Sequence, residues 1–330
     1  MAGKRTVIFV SAGILCLAAA VLSLCLGAAG LTLKQLWQAI CQGPADTAGW
    51  IFWYVRLPRT AACLLSGCGL AVSGAVIQGV LHNKLASPGI IGVNAGAGFA
   101  VTLCCALGLL TGWAIALAAF LGAMGCVLLV VFTAKRTGAS RTTVILGGVA
   151  IGSLLTALSE ALITLVPEAG MLSGDFRVGG FATVAYTRLI PAGVLILLSL
   201  IVVLTLCNEL DVLALGEETA HSLGMSVERT RTLLLIMAAM LAGASVSFAG
   251  LLGFVGLIVP HMARRLVGSE SRYLVPLCAL GGAGFVTLCD LGARLLFAPY
   301  ELPVGILLSV IGGPFFIFLL LRSKGGRSHA

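Results

Sequence analysis

The stretch that decides the fold runs from Thr232 to Gly268, TLLLIMAAMLAGASVSFAGLLGFVGLIVPHMARRLVG. No charged side chain stands between Arg231 and Arg264. At about 1.5 Å per residue the uncharged part would make roughly 48 Å of helix, against about 30 Å of hydrocarbon per crossing. That is too long for one membrane helix and short for two. Both ends are basic, and basic ends stay in the cytoplasm. The chain must therefore enter and return, turning around Gly250–Gly256. Glycine-rich backbone at membrane depth is tolerated only where protein buries it or where it lines a water-filled cavity, so a pathway is expected beside this turn.

The rest of the chain has the composition such a segment needs. Of 330 residues 59% are hydrophobic and 10% charged, and mean hydropathy is +1.12. Soluble domains carry roughly 25% charged residues, so a polytopic membrane protein is indicated. No polar segment is long enough to fold separately, which makes residues 1–330 a single domain. The net charge of +8 resides in short loops between apolar runs, so membrane topology explains it without nucleic acid. The eleven cysteines lie mostly inside apolar spans without metal-ligand spacing and read as small packing residues. Lys4 and Arg5 before apolar Val7–Gly30 resemble a signal peptide, but the run exceeds the usual 7–15 residues. It is read as the first span.

Ten crossings are expected, at 7–30, 57–80, 88–110, 113–133, 142–166, 189–207, 230–249, 251–267, 273–295 and 304–321. With both termini in the cytoplasm, fourteen Lys and Arg residues lie inside and six outside, the asymmetry that orientation requires. Spans 2–5 and 7–10 each begin with a glycine-rich pair and a proline-broken turn, SGAVIQGVLHNKLASPGIIG and SFAGLLGFVGLIVPHMARR. The fold class is therefore all-α and polytopic, with an inverted repeat of the kind used for alternating access.

Several polar positions stand out against this background. Arg56 and Arg59, in RLPR, are expected on the outer face, either as interfacial anchors or as ion-pair sites for an external partner. Gln78 in span 2 wants a partner or a cavity. Ser87 is placed to cap span 3 and Pro88 to occupy its first turn. Glu160 is the one carboxylate well inside a span, either a functional acid or a locally paired structural one. PEAGMLSGDFRVGGF, from Pro167, reads as a broken external segment covering the pathway. In the longest cytoplasmic loop, Glu217 and Glu218 suit the first turn of a short helix and Gly224 its end. That helix would present Leu215, Ala220 and Leu223 to a docking partner. Asp290 and Arg294, four apart on one helix face, can pair.

Catalysis finds no support. No G-x-x-x-x-G-K-[ST] loop occurs, no nucleophile set is convincing, and His82, His221 and His261 lie in separate segments. Neither a cofactor nor a resident metal is expected.

The motifs RLPR at 56–59, SGAVIQGVLHNKLASPGIIGVNAGA at 73–97, LALGEETAHSLG at 213–224, GFVGLIVPHMARRLVG at 253–268, and DLGAR, ELPVG and GGPFF near the C-terminus occur in one order from about Arg56 to Leu321. Together they closely resemble the iron-chelate and cobalamin class of ABC importer permeases. The resemblance implies a homodimer of ten-span subunits in the prokaryotic cytoplasmic membrane, with the translocation path on the dimer axis. Two cytoplasmic ATPase subunits and an extracytoplasmic substrate-binding protein would serve it. It makes Leu215, Gly216, Glu217, Glu218, Ala220, Leu223 and Gly224 the ATPase-coupling loop. It also assigns Arg56, Arg59 and Arg294 to docking of the binding protein, and Asn83, Leu85 and Thr142 to the cytoplasmic gate. Two departures are Lys84, where the family usually has proline, and FRVGGF at 176–181, which replaces a Trp-containing motif. The implied cargo is an iron chelate, siderophore or haem, with cobalamin as the alternative. A proton-coupled secondary transporter using Glu160 is the rival from another class.

Overall fold

The computed structural model describes residues 2–27, 30, 32–136, 141–298 and 300–324. In chain order the helices begin with α1 (Ala2–Cys25), α2 (Leu33–Gln42) and α3 (Thr47–Trp50), which continues through a π-helical turn at Ile51–Arg56 into α4 (Leu57–Val80). There follow α5 (Val93–Ala106), α6 (Gly112–Arg136), α7 (Arg141–Leu165), α8 (Pro167–Val178) and α9 (Tyr186–Thr205). The chain continues through α10 (Cys207–Leu213), α11 (Glu217–Ser222), α12 (Val227–Ala249), α13 (Val255–Val267), α14 (Ser271–Leu295) and α15 (Val304–Lys324). No strand occurs among the described residues.

Every apolar segment expected to cross is helical, but the lengths differ. Seven are long and apolar enough to span a bilayer, whereas α5 and α13 have 14 and 13 residues. Each short helix starts after a left-handed residue, Gly92 at φ +88° and Phe254 at φ +64°, a conformation that cannot continue a right-handed helix. The expected start of span 3 at Ser87 and Pro88 is therefore corrected. Those residues lie in a run of turns in which Ile90 N–H donates to the Ser87 carbonyl at 3.0 Å and Val93 N–H to the Pro88 carbonyl at 3.2 Å. The turn foreseen around Gly250–Gly256 is present, between α12 and α13. The segment from Pro167 is not broken but forms α8.

Contacts follow the repeat. Helix α4 packs on α14 as α12 packs on α6, α5 packs on α6 as α13 packs on α14, and α4 and α12 pack on each other. Glycines set how close the central helix comes to its neighbours. A Cβ at Gly67 would lie 2.2 Å from the Gly282 carbonyl oxygen, and one at Gly74 would lie 1.9 Å from that of Gly256. Such backbone approach is the use of small residues in membrane helices. Around this buried centre, Val7, Ile14 and Leu17 of α1 and Ile190, Leu197 and Ile201 of α9 are exposed. Apolar surface of that extent needs hydrocarbon rather than water beside it.

Candidate functional site

At the start of α4 the sequence places a charged residue in an apolar helix, and the fold answers it with carboxylates from distant elements. The Arg59 guanidinium donates to both oxygens of Asp290 on α14, at 3.0–3.2 Å, and to Glu301 at 2.6 Å. Asp290 also holds Arg294 at 3.0 Å, one helical turn along. Arg294 donates to Ser23 at 2.8 Å, and Ser23 bonds Thr60 at 2.8 Å. Arg56 donates to the Leu24 and Cys25 carbonyls at 2.8 and 2.7 Å, and Arg294 reaches the Leu26 carbonyl at 3.4 Å. These carbonyls end α1 and have no partner within it, so the two arginines act as its C-terminal cap.

Arg56, Arg59 and Arg294, the residues expected to dock a binding protein, are thus engaged within their own chain. They retain 3%, 6% and 3% of their exposure and are occupied by partners of their own chain. Buried charges must be paired to be tolerable, and Asp290, at 1% exposure, is the hub that allows it. The i,i+4 spacing of Asp290 and Arg294 revealed part of this hub. Its bonds to Arg59 span 231 residues and have no local signal.

Beside Arg59 lies a cavity of about 400 Å³, whose wall includes Asp175, Phe181, Arg188, Ser247 and Glu301. FRVGGF forms its seam. Leu251 N–H donates to the Phe176 carbonyl at 2.9 Å, Gly180 N–H to the Ala249 carbonyl at 2.8 Å, and Gly305 N–H to the Gly179 carbonyl at 3.1 Å. Gly179, at φ +79°, would bring a Cβ within 2.6 Å of the Leu251 carbonyl oxygen, which is why glycine stands there. The departure at 176–181 thus joins α8 to the break after α12 and to the start of α15.

The other end of α4 meets the break at 81–92 and the 214–224 loop. Asn83 Oδ1 accepts from Leu85 N–H at 2.9 Å, a side-chain turn that fixes the two expected gate residues relative to each other. The backbone of Thr142 lies in the first turn of α7, but its side chain lies outside the described residues. His82, at φ +50°, bonds the Ala214 carbonyl at 2.8 Å. It therefore ties the gate segment to the residue before Leu215. The sequence reading missed this link, because neither residue type announces it.

The expected short helix is α11. Glu217 and Glu218 occupy its first turn, and Gly224 follows its end at φ +78°. Gly224 N–H donates to the His221 carbonyl and Met225 N–H to that of Ala220. Gly216 precedes the helix at φ +115°. Leu215 and Leu223 are 65% and 63% exposed. Ala220 is fully buried and so is not part of the presented face, which corrects that expectation. Glu217 pairs with Arg231 of α12.

Two polar residues of the apolar spans find partners. Gln78 donates to the Gly256 carbonyl at 3.2 Å and accepts from Arg264. Glu160 pairs with Arg177 of α8, so it is a locally paired acid.

A family model described as the FecCD transport family matches residues 15–322. The chain belongs to this family. Among its relatives, the hemin transport system permease protein HmuU of Yersinia pestis is 36% identical over 92% of both chains. The vitamin B12 import system permease protein BtuC of Salmonella typhi is 38% identical over 95% of this chain and 94% of its own. A solved metal-chelate type ABC transporter in an inward-facing conformation superposes with TM-score 0.85 at 31% identity, covering 96% of this chain and 99% of that one. Family membership and the apolar helices together make the chain a multi-pass membrane permease.

Proposed function

We propose that the chain is the membrane-spanning subunit of an ATP-driven importer that carries an iron chelate, a siderophore or haem, across the cytoplasmic membrane of a prokaryote by alternating access. The observation that carries the reading is the connection between two expected functional elements. The loop around α11 offers Leu215 and Leu223 to the cytoplasm, and His82 binds the base of that loop to the Asn83–Leu85 turn. A partner that moves α11 would therefore move the gate. The chain has no nucleotide-binding loop of its own, so that partner is a separate ABC ATPase.

Assembly as a homodimer is supported by α7. Ser153, Thr156 and Glu160 on this helix are exposed in the single chain, and polar groups at membrane depth belong against protein or water rather than lipid. A second copy facing α7 would enclose them along a wet path. On the outer side, the seam and the cavity beside Arg59 and Glu301 would receive an extracytoplasmic binding protein. Arg56 and Arg294 contribute there by holding α1. The fourteen basic residues on one side support cytoplasmic termini. Haem is favoured by the hemin relative, and cobalamin is the alternative cargo favoured by the vitamin B12 relative.

Replacing residues 217–224 with a flexible linker tests the reading. ATPase association and uptake should both be lost, while the permease still assembles in the membrane. Persistence of both would overturn the coupling role.

A further inference from the structure

Helix α9 turns one continuous apolar stripe outward. Ile190, Val194, Leu197, Ile201 and Leu204 are all exposed, and steps of four and three residues keep them on one helix face. In a membrane permease a face of this kind lies against acyl chains. The stripe runs into a polar recess. Leu204 forms part of the wall of a cavity of about 310 Å³, together with Thr205 of α9, Cys207 and Asn208 of α10, and Arg272 of α14.

Arg272 and Asn208 are exposed, and neither side chain has a hydrogen bond or ion pair with another described residue. The carboxylates around Arg272 are engaged elsewhere. Glu270 pairs with Arg5 at 3.1 Å, and both oxygens of Asp211 accept from the Ser271 N–H, at 2.9 and 3.1 Å. Glu209 is not part of the cavity wall, and its Oε2 is shielded from solvent.

Orientation by positive charge accounts for an arginine at this end of the bundle. It does not account for a recess that brings the arginine and a free amide to the foot of a lipid-facing stripe. A phosphodiester does, because it accepts from guanidinium and amide N–H together while its acyl chains continue onto α9. Basic pockets between transmembrane helices bind lipid headgroups in this way. Arg272 brings one uncompensated positive charge. An anionic headgroup neutralises it, whereas a zwitterionic one carries a cation of its own.

We propose that Arg272 and Asn208 bind the phosphate of an anionic phospholipid whose acyl chain lies along the α9 stripe, in the leaflet that is cytoplasmic in the orientation proposed above. The recess is built from α9, α10 and α14, so the lipid joins the α9–α10 junction to α14. Helix α10 runs directly into Ala214, whose carbonyl bonds His82, so the lipid also steadies the base of the α11 loop. The site depends neither on the cargo nor on the energy source.

The test uses the full-length permease, purified and stripped of lipid in a neutral detergent. It is titrated with phosphatidylglycerol or phosphatidylcholine, reading the melting temperature and, by native mass spectrometry, the lipid retained. Phosphatidylglycerol is expected to raise the melting temperature saturably and to stay bound as a single copy, with phosphatidylcholine about tenfold weaker. Affinity for phosphatidylglycerol should fall about tenfold in Arg272→Gln, be largely kept in Arg272→Lys, and be unchanged in Arg229→Gln, which removes an exposed cation of α12. Leu204→Gln should weaken it as well. Equal binding of the two lipids, undiminished retention in Arg272→Gln, or the same loss in Arg229→Gln would overturn the site. Glycerol phosphate, a headgroup without chains, is titrated in parallel. If it stabilises wild type as the lipid does, the recess takes a free phosphate and the lipid claim falls. Arg272 is exposed, so the lipid-free melts of wild type and Arg272→Gln should coincide; should they differ, loss of phosphatidylglycerol from the well-folded Arg272→Lys would overturn the charge contact.

Discussion

The two ends of α4 treat charge in opposite ways. At the Arg59 end, Arg59, Arg294 and Asp290 are buried and paired among themselves, with Glu301 completing the set. At the Gln78 end, Arg264 meets an uncharged amide instead, and the adjoining break at 81–92 carries His82, Asn83 and Lys84. Satisfied buried networks hold one geometry, whereas the 81–92 break beside Gln78 is a run of turns. The paired end is the expected fixed point, and under the importer reading proposed above the other end is the one that would rearrange.

The sharpest way to break this contrast is Asp290→Ala. It leaves Arg59 and Arg294 buried beside each other without their shared counter-ion, and removing one partner of a buried pair costs about 3–5 kcal/mol. Thermal unfolding in detergent should show that loss, and a cost below about 1 kcal/mol would mean the network holds little. Next is Gly74→Ala, whose added methyl would press on the Gly256 carbonyl from 1.9 Å. Forcing apart the central helix and α13 should cost about 1–3 kcal/mol, read from the same melts, whereas Gly125→Ala, which meets nothing within 4 Å, should not destabilise.

A smaller stability effect is expected at the Gln78 end. His82→Ala removes one hydrogen bond to Ala214, worth about 1 kcal/mol. Its main consequence should be functional, with ATP hydrolysis continuing while uptake per ATP falls. An unchanged ratio would show that this link does not transmit motion. Smallest of all is Glu160→Gln. The pair with Arg177 is partly exposed, at 54% and 38% of the two side chains, and such pairs contribute about 0.2–1 kcal/mol. A melt shifted by more than that would return Glu160 to consideration as a functional acid.

What the sequence made legible was local. Helix α11 could be read because two glutamates favour a first turn and a glycine can take the left-handed conformation after the last. The return at Gly250 could be read from charge spacing alone. Phe254 could not, since a bulky residue at φ +64° is stabilised by its surroundings. Its ring fills the space over Gly312, where a Cβ would lie 2.2 Å from Phe254 Cγ. The outer arginines were found, but their partners were not, for the same reason. Their partners on α1, on α14 and at Glu301 are distant in sequence, and charge at a helix mouth is otherwise indistinguishable from an interfacial anchor. Helix α2 was not foreseen, although Thr32 and Gln35 form a capping box.

The central claim is that ATP hydrolysed by a separate subunit drives this permease. The direct measurement is chelate uptake into vesicles containing the permease, its ATPase and its binding protein, with ATP supplied at the ATPase face and the proton gradient collapsed. The account predicts uptake that continues under these conditions and stops when ATP is withheld. Uptake that stops with the gradient while ATP remains would contradict it and return the chain to the proton-coupled class.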